Sequence, residues 1–354
     1  MQCVFNNVKI SAITSIVPNN KINIDDELHT RYQGNVKKLN KIKQSTGIQY
    51  RYLVDEQTSV SDLAIYACNI LFDEYKLDKN TIDGIIVTTQ TPDFLMPATA
   101  CYIHGKLDLP QSTIAFDINQ SCVGYLYGLY VAFNMLENQS CKKILFICGN
   151  TVNKGLNTNE LIGHGVSASI LEYTTISSKS FFEINNDGKG LPFLFTPFGG
   201  YKTPTSDEFE ENGWENTPFK DFFMDGLEIF NFAISKEPES FNNLLKFSNF
   251  TKEQLDYIFF HQANKNIVDL IIKRLELDSK KAPNDTIYKY GNLASASIPT
   301  TICDTLNTSQ NKLNHKINIA LCGFGAGLSW ANAIITLDEN FWCKETQIFK
   351  KEAQ

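Results

Sequence analysis

The chain has 354 residues, of which 43% are hydrophobic and 20% charged, and a formal net charge of −7. That supplies apolar material for two domains or one large duplicated fold, and mild acidity without a long basic run argues against nucleic acid as a partner. The nine cysteines form no C-x-x-C pair and sit mostly in apolar runs, so they read as reduced core residues of a cytoplasmic protein and not as a disulfide framework or metal site.

The opening MQCVFNNVKI lacks a basic stretch leading into an apolar one, so no secretory signal is expected. No run is apolar for long enough to insert into a bilayer. IDGIIVTTQ (82–90) predicts a strand, and a helical stretch follows it to KLDL. STIAFDINQSC (112–122) predicts a strand ending in a turn, and VGYLYGLYVAFNML an apolar helix. KKILFICGN (142–150) and SASILEY predict two more strands. The same order then returns. LDYIFFHQ (255–262) is a strand, NKNIVDLIIKRLEL a helix, YKYGNLASASIP (288–299) a turn, TTICDTL helical, and KINIALCGFG (316–325) and SWANAIITL strands. An internal repeat of strands and crossover helices predicts an α/β fold with mostly parallel sheets, its halves related by a pseudo-two-fold axis. The expected division is 1–185 and 186–354. The second half opens with an excursion, 186–223, rich in Gly, Pro and aromatics, of a length expected of an ordered functional flap.

Three polar residues stand at strand ends or turns. Cys122 lies at a strand-to-helix turn, where free N–H groups and the helix dipole favour a thiolate. His261 follows the apolar strand LDYIFF and could donate a hydrogen bond or shuttle a proton. Asn292 lies in a turn of small residues, and its amide could donate to a developing oxyanion. Singly, each has an ordinary reading: a core cysteine, a helix-entry histidine, a turn asparagine. The hairpin GFGAGLSW (323–330) has glycines that let backbone approach a ligand closely, without the helix that follows a dinucleotide loop.

Together SCVGYLYGL, HQANKNI, YGNLASASIP and GFGAGLSW, in that order, resemble the β-ketoacyl-acyl-carrier-protein synthase III family. TGIQYR (46–51) and TPDFLMPATA (91–100) fit it too, so the resemblance runs from about residue 5 to 338. It implies a duplicated thiolase-like five-layer αβαβα sandwich, usually a homodimer. It makes Cys122 the acylated nucleophile, and His261 and Asn292 the pair that holds the malonyl thioester carbonyl during decarboxylation. Backbone N–H groups of Cys122 and Ala326 would form an oxyanion hole beside Gly325, and Phe324 would line the decarboxylation site. Met96 would take the place of a phenylalanine that reaches the acyl pocket from the partner subunit. The family's grip on coenzyme A is a tryptophan and an arginine, but the residues here are Lys41 and Ser45. His164 occupies the middle of a Gly-His-Gly turn and reads as structural.

The resemblance implies decarboxylative Claisen condensation of an acyl thioester with malonyl-acyl-carrier-protein through an acyl-cysteine. The alternative is acyl transfer to an alcohol or amine without carbon–carbon bond formation. No bound cofactor is expected, only thioesters on acyl carrier protein and possibly coenzyme A. An acidic carrier protein would dock on the helix after His261, at Lys265, Lys273 and Arg274.

Overall fold

The computed structural model describes residues 1–151, 161–196, 223–310 and 312–351. Two sheets carry the fold. The first has strands in the order Trp342–Cys343, Val8–Val17, Gly165–Tyr173, Lys143–Asn150, Gly84–Thr88, Ile114–Ile118, and Gln347–Ile348 also pairs with Val8–Val17. The order in the second is Gln2–Phe5, Ser180–Asn186, Ser329–Leu337, Ile317–Gly325, Tyr257–Phe260. The two ends of the chain are thus exchanged. The first strand caps the C-terminal sheet, and the last strands lie parallel to Val8–Val17 in the N-terminal sheet.

The layers follow from which helix faces are apolar. Gly124–Glu137 has buried residues around most of its circumference, among them Tyr125, Leu126, Leu129, Ala132, Phe133 and Leu136. A helix apolar all round is stable only where protein covers it on every side. It lies with Ser297–Leu306 between the two sheets, in a core drawn from both. Val60–Asp73 packs on the outside of the first sheet, and Gly226–Ser248 on the outside of the second. Lys265–Arg274 packs beside the latter and is amphipathic, burying Ile267, Val268, Ile271 and Ile272. The result is the five-layer thiolase-like sandwich, with separate apolar cores in the outer interlayers.

The sheets are mixed, not mostly parallel. Gly84–Thr88 runs parallel to both its neighbours, and Tyr257–Phe260 parallel to Ile317–Gly325. Ile317–Gly325 and Ser329–Leu337 are antiparallel because only Ala326–Leu328 joins them, too little chain for a crossover. Its counterpart in the first half, Lys143–Asn150 with Gly165–Tyr173, is antiparallel as well. The repeat is also imperfect. Where the first half has strand Ile114–Ile118, the second has the short helix Thr286–Tyr290. The chain passes from the first sheet to the second between Tyr173 and Ser180, ahead of the 185/186 division expected from sequence. Of the 186–223 excursion, residues 197–222 lie outside the described ones. Its base is the two-stranded ribbon Leu194–Phe195 with Phe223–Met224.

Candidate active site

Cys122 sits in the turn between Ile118 and the Gly124–Glu137 helix, where Gly124 N–H donates to the Ser121 carbonyl at 2.7 Å. Two glycines let that helix sink into the centre. A Cβ on Gly128 would lie 2.1 Å from the Phe146 ring, and one on Gly124 2.4 Å from Thr88 and 3.1 Å from Ser295. Cys122 keeps part of its surface open, and its sulfur lies 3.5 Å from the Ser121 hydroxyl. Its thiol differs from the thiolate expected at a helix start. Burial pushes the pKa up, outweighing the lowering by the Ser121 hydroxyl and by backbone N–H. The resting group is therefore a thiol.

The hairpin tip joins this cysteine to the second half. Gly325 is extended, at φ 179°, so proximity is what excludes a side chain. A Cβ there would stand 2.7 Å from Cys122 Cβ. The preceding Phe324 turns its ring edge-on to His261, with centroids 5.5 Å apart. His261 ends the Tyr257–Phe260 strand, and its N–H donates to the Cys322 carbonyl at 2.7 Å. The ring is buried, and with no charge near it burial lowers its pKa to about 3. It is a neutral imidazole at any working pH. Nδ1 lies 2.7 Å from Ser297 Oγ, and Nε2 makes no hydrogen bond to a described residue.

Asn292 is held at both ends of its peptide unit by the first half. Its N–H donates to Leu161 O at 2.8 Å, and its carbonyl accepts from Gly163 N–H at 3.0 Å. The same turn is tied down further by Asn150 Nδ2 donating to Ser295 Oγ at 3.1 Å. The amide itself is oriented, because Oδ1 accepts from Ala294 N–H at 2.9 Å. Nδ2 makes no hydrogen bond to a described residue. The structure therefore strings together Cys122, Gly325, Phe324, His261 and the 292–297 turn by contiguous contacts. Ala326 continues from Gly325 and is partly exposed. His164 accepts from Val54 N–H at 3.0 Å, and burial, then the Arg51 charge, lower its pKa to about 4. It is a structural acceptor.

Met96 does not line this site within one chain. It is 87% exposed, on a loop where Leu95 is 97% and Phe94 48% exposed. On the Lys265–Arg274 helix, Lys265 is paired with Asp269 at 2.6 Å, while Lys273 is exposed with no ion pair to a described residue. Arg274 has a structural task that sequence alone did not reveal. Pro238, inside Gly226–Ser248, cannot donate to Ile234 O four residues earlier. Arg274 Nη1 donates to that carbonyl instead, at 2.5 Å. Lys41 is exposed, and Ser45 spends its hydroxyl on Ile42 O at 3.2 Å. Arg51, the nearest arginine to these positions, is buried and holds both Glu27 oxygens, at 2.6 and 2.7 Å.

Sequence reading also passed over Ser297 and Glu237. Nothing in the ASAS tract separates Ser297 from Ser295. Glu237 is fully buried between Gly226–Ser248 and the second sheet, near Asn332, Cys322 and Glu183, and burial raises its pKa well above the usual carboxylate range. Among the described residues, no helix is long and apolar enough to cross a membrane.

A cysteine at the entrance of a central helix, against a hairpin tip whose Phe324 packs on a histidine of the other half of a five-layer duplicated fold, fits a thiolase-fold acyltransferase. Comparison with known proteins narrows this. Residues 116–189 match the 3-oxoacyl-[acyl-carrier-protein (ACP)] synthase III model, and residues 245–337 match the model of that family's C terminal. A putative 3-oxoacyl-[acyl-carrier-protein] synthase 3 of Campylobacter jejuni is 40% identical over 99% of this chain and 100% of its own. A beta-ketoacyl-[acyl-carrier-protein] synthase III of Clostridioides difficile is 33% identical over 83% of this chain and 88% of its own. Among solved structures, a 3-oxoacyl-(acyl-carrier protein) synthase of Burkholderia xenovorans superposes with a TM-score of 0.90 at 29% identity, over 99% of both chains. OleA of Xanthomonas campestris, at 20% identity and a TM-score of 0.78, shares the fold. The chain belongs to the 3-oxoacyl-acyl-carrier-protein synthase III family.

Proposed function

We propose that the protein performs the decarboxylative Claisen condensation of this family, joining an acyl group carried on Cys122 to malonyl-acyl-carrier-protein in fatty acid or related acyl-chain biosynthesis. The Cys122 sulfur attacks the donor thioester carbonyl, the N–H groups of Cys122 and Ala326 receive the oxyanion, and collapse breaks the donor's carbon–sulfur bond, the departing thiol carrying away the Cys122 proton. The malonyl unit then loses carbon dioxide, and its enolate attacks the acyl-cysteine. His261 and Asn292 hold the enolate oxygen. The observation that carries this reading is the Ala294 N–H bond to Asn292 Oδ1, at 2.9 Å, which spends the amide's acceptor and keeps its donor end for another partner. The same segment meets the His261 imidazole at Ser297 Oγ, 2.7 Å from Nδ1, and burial lowers that ring's pKa to about 3, leaving it uncharged. Two neutral donors, fixed in advance, suit an oxygen that becomes negative in the transition state. Plain acyl transfer to an alcohol or amine has no use for them at a second oxygen.

The reading extends to partners. The protein acts as a cytoplasmic homodimer. Ile114–Ile118 is the edge strand of its sheet, with Ile114 48% exposed, and such edges are normally covered. The exposed Phe94, Leu95 and Met96 would cross the interface, so that Met96 walls the partner's acyl pocket. The acidic carrier protein docks at Lys265 and Lys273, with Arg274 contributing less because its guanidinium is engaged at Ile234. No metal or other cofactor takes part; the thioester substrates supply the chemistry. The test is Asn292→Ala. Acylation of Cys122, read by intact-protein mass, should stay near wild type while malonyl decarboxylation falls about 10²–10³-fold. Loss of acylation with decarboxylation intact would reverse the assignment.

A further inference from the structure

We infer that Ser297 is a positioning residue which fixes His261 as the tautomer protonated at Nε2. The inference rests on the reading of His261 as a donor to the malonyl oxygen, and adds how that donor is enforced.

The argument counts protons on one hydroxyl. Ser297 is buried, and its Oγ has two neighbours within bonding distance: His261 Nδ1 at 2.7 Å and the Gln262 backbone N–H at 3.3 Å. Gln262 N–H can only donate, so it takes one of the two lone pairs of Oγ. The hydroxyl proton must go elsewhere. If Nδ1 were protonated, Oγ would accept from it too. The hydroxyl proton would then lie in packed protein without an acceptor among the described residues, which is unfavourable. If Nδ1 is bare, it accepts the hydroxyl proton and all three groups are satisfied. The imidazole then carries its proton on Nε2, the nitrogen with no hydrogen bond to a described residue.

Ser297 is well anchored for this purpose. It starts the central Ser297–Leu306 helix, and its carbonyl accepts from Thr301 Oγ1 at 2.8 Å. It also belongs to the turn that holds Asn292, five residues earlier. One short segment thus supplies one donor directly and determines the protonation of the other.

The test uses the whole protein with ¹⁵N-labelled histidine at pH 7. The His261 signals are assigned by their loss in His261→Gln. In the wild type, Nδ1 should resonate as a bare ring nitrogen and Nε2 as a protonated one. Ser297→Ala should move both toward the averaged positions of exchanging tautomers, and slow malonyl decarboxylation at least tenfold while acylation of Cys122 changes less than twofold. Ser297→Thr, which keeps a hydroxyl, should restore the wild-type spectrum and rate, and tells a lost hydroxyl from a damaged fold. A wild-type spectrum with Nδ1 protonated would overturn the inference, as would a Ser297→Ala spectrum identical to wild type. A tautomer shift with unaltered decarboxylation would instead uphold the role of Ser297 and remove His261 from decarboxylation.

Discussion

Gly325→Ala should cripple the enzyme while leaving it folded. The added Cβ would lie 2.7 Å from Cys122 Cβ, 3.4 Å from its backbone nitrogen and 3.5 Å from its Cα. None of these atoms is the end of a flexible side chain that can swing aside. Carbon atoms in contact sit about 3.5–4.0 Å apart, so the hairpin tip and the nucleophile must separate by roughly 1 Å. Overpacking of this kind costs about 1–3 kcal/mol, and for a large chain each kcal/mol lowers Tm by about 2–4 °C. The kinetic cost is greater, since a displacement near 1 Å at the reacting groups costs about 10²-fold in rate. Acylation of Cys122 is followed by intact-protein mass, beside circular dichroism melting. Gly105→Ala is the control: nothing lies within 4 Å of its Cβ, inside the Thr99–Lys106 helix, so it should gain about 0.5–1 kcal/mol and keep its rate. A Gly325→Ala protein that acylates at the wild-type rate would refute the contact between hairpin and nucleophile.

Arg274→Ala should cost about 1–3 kcal/mol by orphaning Ile234 O, and much less in a Pro238→Ala background, where residue 238 regains its N–H; a double-mutant cycle by urea denaturation reads the coupling, and additivity would reject it. Glu237 is raised above the usual carboxylate range when folded, so the folded state binds the extra proton and stability is lost as pH climbs from the unfolded value, about 4.3, through the folded one. Relative to Glu237→Gln, the wild type should weaken by up to about 1.4 kcal/mol per pH unit across that window; parallel denaturation profiles between pH 5 and 8 would disprove it. Where the sequence reading sets Lys41 and Ser45 against an aromatic platform and a phosphate-gripping arginine, with Arg51 committed to Glu27, the nucleotide end of coenzyme A would have weak anchors. Longer acyl-CoA or acyl-carrier donors should then acylate Cys122 faster than acetyl-CoA at matched concentration, and acetyl-CoA as the fastest donor would reject this.

Much of the architecture was legible because its signals are local and repeated. IDGIIVTTQ and LDYIFFHQ read as buried strands on composition alone, and VGYLYGLYVAFNML is too apolar to be a surface helix. The structure places Cys122 at the entrance of the central helix, His261 at the end of the Tyr257–Phe260 strand and Asn292 in the turn after Thr286–Tyr290, positions the sequence pattern already marked. Strand direction was not legible, since a hairpin and a crossover differ in connection length more than in pattern. The protonation of Cys122 was misread because dipole and burial oppose each other, and burial depends on neighbours such as Gly325 that lie far off in sequence. Arg274 looked like a docking cation because the carbonyl it serves belongs to another helix, 40 residues away. Met96, expected to reach the acyl pocket of a partner subunit, stands on an exposed loop of the single chain.

The exchanged chain ends have a consequence for how the protein is made. Val8–Val17 is synthesised long before Trp342–Cys343 and Gln347–Ile348, the described strands that pair with one of its edges. Translation proceeds at about 5–20 residues per second, so that edge stays open for tens of seconds. An unpaired strand edge is a template for another chain, and several ribosomes on one message hold many such edges close together. Completion of the first sheet therefore waits for residues 342–348, and nascent chains stalled short of residue 342 are the species most exposed to co-aggregation.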